Sequence, residues 1–314
     1  MQPDAFLPKA GQPDTTRPNA TPSYGMHVHG MLPHAVVAEA VSRALAEDAP
    51  WGDATSDGFL PAGVSARLVI RAKSPGVLCG MPLAETVFRS VEPGVAWQPA
   101  LADGAPLAPG TLVATIDGEA RRLLRGERIA LNFLQRLSGV ASLTAAHVAR
   151  AREGSPTVQI VDTRKTTPGL RVLEKYAVRT GGGANHRFGL SDGILIKDNH
   201  LAVLARAGLS LREGIARLRG NIPHLYRVQV EVESVAQARE ALEAGADVLL
   251  LDNMSTAAMA EAVALCRGRA LTEASGNISL ARVAEVAASG VDFISVGALT
   301  HSAPALDLSL DFVA

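Results

Sequence analysis

The sequence has few cysteines and no excess of either charge, and each shortage excludes a class of protein. The two cysteines, Cys79 and Cys266, lie far apart and outside any metal or redox spacing, which predicts two buried thiols in a reducing compartment. The 30 basic and 31 acidic side chains nearly cancel, which gives no support for a general binder of nucleic acid or membrane surfaces. With 47% hydrophobic and 19% charged residues, the composition is that of an ordinary globular protein.

The sequence also lacks a long apolar run. No stretch approaches the roughly 20 apolar residues of a membrane span, and no basic-then-apolar signal peptide opens the chain. We therefore expect a cytoplasmic protein with neither a nucleic-acid nor a membrane partner.

The first 30 residues differ in composition from the rest. Residues 1–30 are rich in Pro, Asp, Thr and Asn and are predicted to form a flexible tail, because they cannot bury enough apolar surface to offset the entropy lost on ordering. His27 and His29 lie in this tail, but two histidines without further ligands nearby do not predict a metal site.

Residues 31–134 mix helices and strands in no fixed order, which predicts an α+β domain. The apolar spacing predicts helices over 31–48 and 82–91, a strand over 66–72 and a β-rich stretch over 97–116. A longer helix over 120–152 is expected to lead out of this domain.

From residue 158 onward, short apolar runs alternate with helical segments. The last four runs recur every 20 to 23 residues, which predicts parallel strands joined by right-handed crossovers. Two architectures fit, an open doubly wound sheet or an α/β barrel. The lack of Gly-x-Gly-x-x-Gly after a strand disfavours a dinucleotide-binding sheet, and six runs are fewer than the eight strands of a complete barrel. We predict an incomplete barrel from these runs: 158–161, 194–196, 228–232, 248–251, 270–272 and 293–296.

Charged or small residues follow each of the six runs. The carboxyl ends of parallel strands are where barrel enzymes place their active sites. One such polar segment could be an ordinary turn or helix cap, but six in succession predict a site. The segments are 162–165, 197–200, 231–233, 252–253, 273–277 and 297–301.

The basic members of these segments predict a cationic pocket for a ligand with several negative groups. Arg164, Lys165 and Lys197 follow the early strands. Arg187, with His186 beside it, lies in the loop after Gly181-Gly182-Gly183, which we expect to fold over the ligand. A structural ion-pair network could use the same charged side chains.

The acidic and small members predict a metal and a phosphate site. Glu231 and Asp252 come from consecutive strands, and paired carboxylates near phosphates usually hold Mg²⁺. Glu233 alternates with Glu231 and would point to the same face, so only one of them need be catalytic. Backbone N–H groups at the start of the last two helices could bind a phosphate. The small residues there are Ser275, Gly276 and Gly297.

Two motifs connect this chain to a known family. Asp-Thr-Arg-Lys-Thr-Thr-Pro-Gly occupies 162–169, and Gly-Gly-Gly-Ala-Asn-His-Arg occupies 181–187. With these motifs the chain closely resembles the quinolinate phosphoribosyltransferases, also called carboxylating nicotinate-nucleotide pyrophosphorylases. Further matching stretches follow in family order across roughly 32–314: 127–133, 197–200, 231–233, 251–253, 275–277 and 296–302.

The resemblance implies a fold and an activity. It implies an N-terminal α+β domain over 31–134, an α/β barrel of about seven strands over 135–301, and a last segment, 302–314, that returns to the first domain. It implies transfer of a phosphoribosyl group to quinolinate, with release of carbon dioxide and pyrophosphate, in de novo NAD biosynthesis. It also implies a homodimer in which Arg128 reaches into the partner's site.

The resemblance further assigns roles to the predicted site residues. Lys165 would lie between the two substrates, and Lys165, Lys197, Glu231 and Asp252 would be the catalytic set. The two carboxylates of quinolinate would bind Arg164, His186, Arg187 and Lys197. Glu231 and Asp252 would hold Mg²⁺ and the ribose hydroxyls. The 5-phosphate of phosphoribosyl pyrophosphate would be surrounded by Ser275, Gly276, Gly297 and His301.

Two alternatives remain open on the sequence. A relative on the same scaffold could use another aromatic acid such as nicotinate, which separate assays of the two acids would reveal. A non-catalytic sensor of phosphoribosyl ligands would bind without turnover. It would also be expected to lack one or more of Arg164, Lys197, Glu231 and Asp252, all of which are present.

Overall fold

The computed structural model describes residues 32–313. The predicted tail, with His27 and His29, lies outside the described residues. Both cysteines are buried and free, as predicted. Within the described part of the chain, no helix is both long and apolar enough to cross a membrane.

The first half of the chain forms helices packed on a four-stranded antiparallel sheet. Helix α3 buries Leu83, Ala84, Val87 and Phe88, whose spacing of three to four residues places them on one face. These side chains pack against the long helix that follows the sheet. The elements are α1 (His34–Asp48), α2 (Ala54–Phe59), β1 (Ser65–Ala72), β2 (Gly76–Val77), α3 (Met81–Val91), β3 (Ala96–Pro99), β4 (Pro106–Leu107) and β5 (Leu112–Glu119).

The antiparallel sheet includes a strand from the far end of the chain. Its order is β12-β1-β5-β3, where β12 is Leu308–Phe312. Leu68 pairs with Phe312 and Ala72 with Leu308, so β12 covers the free edge of β1. The N-terminal half is therefore completed by the C-terminal residues.

Helix α4 (Ala120–Gly154) is a single helix of 35 residues that connects the two sheets. Its start is fixed by Glu119, whose carboxylate accepts a hydrogen bond from the Arg122 backbone N–H at 3.0 Å. The boundary predicted between residues 134 and 135 falls inside this helix. The two halves of the molecule are thus joined by continuous helix and not by a linker.

The second half contains a parallel sheet of six strands in the order β6-β11-β10-β9-β8-β7. Each strand coincides with one of the six apolar runs, so the predicted strand–helix alternation is confirmed. The strands are β6 (Gln159–Val161), β7 (Ile194–Ile196), β8 (Val228–Val232), β9 (Val248–Asp252), β10 (Leu271–Ser275) and β11 (Phe293–Ser295).

Helices connect these strands. Ser234 and Ser255 each accept a hydrogen bond from a backbone N–H three residues later, which fixes the starts of α8 and α9. The helices are α5 (Arg171–Thr180), α6 (Asp198–Arg206), α7 (Leu211–Arg219), α8 (Val235–Ala244), α9 (Thr256–Cys266), α10 (Val283–Ala288) and α11 (Ala298–His301).

Strand β10 corrects the sequence interpretation. It runs to Ser275, so Glu273 and Ser275 lie inside a strand and not in the segment after it. The Glu273 side chain is buried, where the amide of Gln229 donates a hydrogen bond to it. A buried polar partner is what allows a carboxylate in the middle of this strand.

A seventh segment adds a single parallel bridge to the sheet. Ala184 pairs with Val161 on the free side of β6. Among residues 32–313, β7 at the opposite edge pairs with β8 alone. The α/β class is therefore confirmed, and the described pairing is that of six strands with one short addition.

Candidate active site

The strand register places polar side chains on one face of the parallel sheet. Val228, Val230 and Val232 of β8 are buried, and Gln229 and Glu231 alternate with them. Because successive side chains of a strand point to opposite faces, Gln229 and Glu231 share the face that the valines do not occupy. On the next two strands the same face carries Asp252, Glu273 and Ser275 beside the apolar Val248 and Leu250.

Lys197 and Glu231 meet at the carboxyl ends of β7 and β8. Lys197 Nζ lies 2.5 Å from Glu231 Oε2. The Lys197 side chain is 46% exposed and the Glu231 side chain 13% exposed. Both members of this ion pair are therefore accessible from solvent, Lys197 to an anionic group and Glu231 to a cationic one.

The segments that follow β9 and β10 interlock around Asp252. Asn253 Nδ2 donates to Asp252 Oδ2 at 2.8 Å, and Asn277 Nδ2 donates to Asn253 Oδ1 at 3.0 Å. Asn253 and Asn277 are the two non-glycine residues with positive φ, at 53° and 50°, among the described residues. Gly276, also at positive φ, lies so close that a Cβ there would overlap Asn253 Oδ1. This packing fixes the orientation of the Asp252 carboxylate.

Arg164 and Arg187 form a pair of like charges. Burial lowers the pKa of Arg187, and the positive charge of Arg164 lowers it further, while Asp192 opposes both. Arg187 Nη1 donates to the Gly193 carbonyl at 2.8 Å. Within the described residues, the buried Nε of Arg164 has no hydrogen-bond partner. Two neighbouring cations and an unsatisfied donor favour binding of an anion.

A buried ion pair holds the loop that carries Arg187. Lys175 and Asp162 are both buried, and Lys175 Nζ lies 2.5 Å from Asp162 Oδ1. Asp162 also accepts from Asn185 Nδ2 at 2.7 Å and from the His186 backbone N–H at 2.9 Å. Burial raises the pKa of Asp162 and lowers that of Lys175, while the attraction between them opposes both shifts. The pair therefore fastens residues 185 and 186 to the end of β6.

Both ring nitrogens of His186 have protein partners. Nδ1 accepts the Arg187 backbone N–H at 2.8 Å. Nε2 lies 3.2 Å from Gln229 Oε1 and 3.4 Å from Glu273 Oε2. Burial lowers the pKa of His186, and the Glu273 carboxylate raises it by more. A carboxylate of the substrate that binds a ring nitrogen would have to replace one of these partners.

Lys165 lies beside the start of α11. A Cβ added to Gly297 would be 3.2 Å from Lys165 Cδ and 3.1 Å from His301 Nε2. Thr300 Oγ1 donates to the Lys165 carbonyl at 2.7 Å. The segments after β6 and β11 therefore meet, which brings Lys165, Gly297 and His301 together.

Arg128 and Glu233 differ from the other predicted site residues. Arg128 is exposed on α4, and no hydrogen bond or ion pair within residues 32–313 joins it to the others. Glu233 lies one residue past β8, where its backbone N–H donates to Gln237 Oε1 at 2.7 Å. The local cluster therefore contains the residues from the strand ends and lacks Arg128.

Sequence reasoning missed the buried polar residues beneath this site. Gln229 and Lys175 were not predicted to contribute, and Glu273 was predicted only as part of the segment 273–277 after its strand. The sequence did contain a sign of the buried polar layer. Gln229 and Glu273 are polar residues within strands that are otherwise mostly apolar, on the face that carries Glu231. Lys175 gave no signal, because a lysine in an amphipathic helix is ordinarily exposed.

Fold and site together are those of an α/β enzyme with charged side chains at the carboxyl ends of its parallel strands. Comparison with protein families then narrows this class. Residues 53–138 match the N-terminal domain model of quinolinate phosphoribosyl transferase, and residues 140–311 match its C-terminal domain model. The chain belongs to the quinolinate phosphoribosyltransferase family, as the motifs predicted.

Individual relatives agree with this assignment. A probable carboxylating nicotinate-nucleotide pyrophosphorylase of Synechocystis is 42% identical over 86% of this chain and 90% of its own length. The crystal structure of NadC from Streptococcus pyogenes is 42% identical, with a TM-score of 0.84 over 90% of this chain and 99% of that one. The nicotinate-nucleotide pyrophosphorylase structure from Francisella tularensis is 34% identical, with a TM-score of 0.85 over 90% and 98%.

Proposed function

We propose that this chain joins quinolinate to phosphoribosyl pyrophosphate and releases pyrophosphate and carbon dioxide, which forms nicotinate mononucleotide. The observation that carries this proposal is the ion pair of Lys197 and Glu231 at the carboxyl ends of β7 and β8, with Asp252 at the same end of β9. The like charges of Arg164 and Arg187, which follow β6, add to it. Family membership and the names of relatives at about 42% identity support it. The product places the enzyme in the synthesis of NAD.

The cationic side chains would bind quinolinate. Its two adjacent carboxylates match the two guanidinium groups of Arg164 and Arg187, whose mutual repulsion the ligand would relieve. Lys197 would supply a further charge after it exchanges Glu231 for a ligand carboxylate. His186 completes the group, although its ring nitrogens already have protein partners.

The acidic side chains would bind the ribose hydroxyls and Mg²⁺. Glu231 and Asp252 supply the oxygen atoms that Mg²⁺ prefers, from neighbouring strands of one sheet. No cluster of three or more potential metal ligands occurs in the described part of the chain. Such a cluster is not required, because Mg²⁺ commonly binds one or two carboxylates together with substrate phosphates. When bound, the ion would stabilise the charge that develops on pyrophosphate.

The reaction would proceed without a covalent bond to the enzyme. The bond from ribose C1 to pyrophosphate breaks with its electron pair on the departing oxygen, and the pyridine nitrogen bonds to C1. The C2 carboxylate then leaves as carbon dioxide, and its electron pair stays on the ring carbon, which takes a proton. Lys165 would stabilise negative charge between the two substrates.

The cysteines do not offer an alternative nucleophile. Burial raises the pKa of Cys79 well above its usual range and that of Cys266 to about 11. A thiol rather than a thiolate is therefore expected at both positions near neutral pH. Positioning and electrostatics would supply most of the rate.

The 5-phosphate would bind where strands β10 and β11 end and the segments after them begin. Ser275, Gly276, Gly297 and His301 lie there, with backbone N–H groups available at the start of α11. Close approach of a phosphate requires small residues, and two of these four are glycines.

Gly276→Ala is expected to weaken binding of phosphoribosyl pyrophosphate. The added Cβ would overlap Asn253 Oδ1, and alanine is strained at the positive φ of this position, by about 1–2 kcal/mol. Displacement of Asn253 would release Asp252, so KM for phosphoribosyl pyrophosphate should rise more than KM for quinolinate. Gly268→Ala is the matched control, because it has a similar φ and open space around it. If Gly276→Ala and Gly268→Ala changed the KM for phosphoribosyl pyrophosphate equally, the assignment of Gly276 to this substrate would be contradicted.

An activity assay tests the function itself. Purified protein incubated with quinolinate, phosphoribosyl pyrophosphate and Mg²⁺ should yield nicotinate mononucleotide and carbon dioxide. Nicotinate should be a poor substrate, because a single carboxylate leaves one cation partly unpaired. Removal of the metal with EDTA should abolish the activity, and added Mg²⁺ should restore it. Turnover of nicotinate without carbon dioxide release would favour the alternative acceptor.

Three further features belong to the same proposal. The six parallel strands and the segment at Ala184 would form an incomplete barrel of about seven strands over 135–301, beside an α+β domain of 31–134 with 302–314. Two copies would form a homodimer, in which the exposed Arg128 reaches the partner's site. A cytoplasmic location remains a prediction from the sequence.

A further inference from the structure

A chain of buried polar groups connects the interior of the parallel sheet to the cationic pocket. Glu273 of β10 and Gln229 of β8 lie on the same face of the sheet, and both are buried. Gln229 Nε2 donates to Glu273 Oε2 at 2.8 Å. Gln229 Oε1 faces His186 Nε2 at 3.2 Å, and His186 Nδ1 accepts the Arg187 N–H at 2.8 Å. The chain therefore ends at the backbone of a pocket arginine.

The direction of donation along this series of hydrogen bonds is determined at both of its ends. An ionised carboxylate only accepts hydrogen bonds, so Gln229 must turn its NH₂ group toward Glu273 and its oxygen toward His186. Nε2 of His186 must then carry a hydrogen. At the other end the Arg187 N–H requires a free lone pair on Nδ1. Both ends select the same ring orientation and the same tautomer.

Packing alone does not explain a carboxylate at this position. The Glu273 side chain is 6% exposed, and its Oε1 has no hydrogen-bond partner among the described residues. Burial would raise the pKa of Glu273, but His186 and Gln229 hold it below its ordinary value, so a charge is retained in the sheet. An apolar residue of similar size is often neutral or better for stability at such a site. Stability therefore does not explain the carboxylate at position 273, whereas a role in orienting neighbouring groups does.

We propose that Glu273 is a positioning residue for quinolinate, which acts through Gln229 and His186 on the loop that holds Arg187. The inference rests on the proposed function, since the loop is taken to bind that substrate. Glu273 does not touch the substrate itself. It restricts Gln229 and His186 to one arrangement of hydrogen bonds, and thereby fixes the position of the Arg187 backbone N–H.

Glu273→Gln tests the proposal at nearly constant shape. Glutamine can donate as well as accept, so Gln229 can turn either way and the tautomer of His186 is then selected by the Arg187 N–H alone. We expect kcat/KM for quinolinate to fall about tenfold, the smaller end of the range known for loss of groups that orient metal-binding side chains. The kcat/KM for phosphoribosyl pyrophosphate at saturating quinolinate should change by less than about twofold, because Glu273 acts on the loop assigned to quinolinate and contacts none of the residues assigned to phosphoribosyl pyrophosphate.

Two more variants complete the kinetic test. Gln229→Leu removes the middle of the same chain and leaves only the 3.4 Å contact between Glu273 Oε2 and His186 Nε2, so it should give a selective loss of the same kind but smaller size. Thr272→Val is the matched control, since Thr272 lies in the same strand, is buried on the other face and bonds Asp292 at 3.0 Å. It should leave both values of kcat/KM unchanged. Equal losses for the two substrates, or no loss in Glu273→Gln, would overturn the proposal, as would failure of both chain variants to fold.

A spectroscopic readout does not depend on activity. The ring nitrogens of His186, assigned by their loss in His186→Gln, should report the Nε2–H tautomer in ¹⁵N NMR spectra of the wild-type protein near pH 8. Glu273→Gln should shift these resonances toward a mixture of tautomers. An unchanged tautomer would overturn the positioning role even if quinolinate is the substrate. A wild-type protein inactive on quinolinate would instead refute the proposed function and leave this readout intact.

Discussion

Lys197→Ala should abolish turnover of quinolinate while the protein stays folded. Lys197 supplies a charge at the end of β7 and holds Glu231 at 2.5 Å. Loss of one group that stabilises developing charge lowers a rate on the order of 10²–10³-fold. Lys197 is also assigned to a carboxylate of quinolinate, so the loss should reach or exceed the upper end of that range. The Lys197 side chain is 46% exposed, and an ion pair so exposed contributes about 0–1 kcal/mol to stability.

Lys73→Ala is the matched control for this experiment. Lys73 is 48% exposed and pairs with Asp311 at 3.7 Å, but it lies in the N-terminal half. For both variants, the free energy of unfolding from urea titration should lie within about 1 kcal/mol of the wild-type value. Only Lys197→Ala should lose activity. Full activity in Lys197→Ala would remove Lys197 from the site and with it much of the proposed pocket.

Lys175→Met should destabilise the protein by about 3–5 kcal/mol, the range found when one partner of a buried ion pair is removed. The change leaves the Asp162 carboxylate buried without its cation. It also removes the hydrogen bond from Lys175 Nζ to the His186 carbonyl at 3.0 Å. The free energy of unfolding from urea titration at fixed protein concentration measures the loss.

A double variant separates the charge from the packing. Asp162→Asn together with Lys175→Met removes both charges and keeps an acceptor for the His186 N–H, but it loses the oxygen that accepts from Asn185 Nδ2, so part of the stability should return. Such recovery would show that the unpaired carboxylate causes the loss. A loss below about 1 kcal/mol in Lys175→Met alone would mean that the pair is weakly coupled to folding.

The strands could be predicted because they are short, apolar and evenly spaced. Val228–Val232 and Ile194–Ile196 begin and end where the sequence indicated, since polar or small residues stand at both ends. The register then determines which side chains share a face, so Glu231 was expected near the end of its strand. What the sequence does not reveal is that Glu231 contacts Lys197, because the pairing of β7 with β8 spans a long connection.

The polar interior of the sheet was harder to predict. Glu273 was interpreted as part of a segment after a strand, because a charged residue usually marks the end of an apolar run. Its burial depends on Gln229, 44 positions earlier in the chain, and a single sequence gives no sign of that pairing. Lys175 is similar, since its partner Asp162 is contributed by a different element.

The pairing of β12 with β1 has a consequence for how the protein is made. Until residues 308–312 leave the ribosome, β1 lacks its outer neighbour, and its N–H and C=O groups on that side remain free to pair with another chain. Residues 65–72 are therefore exposed to aggregation during synthesis for as long as the rest of the chain takes to be translated.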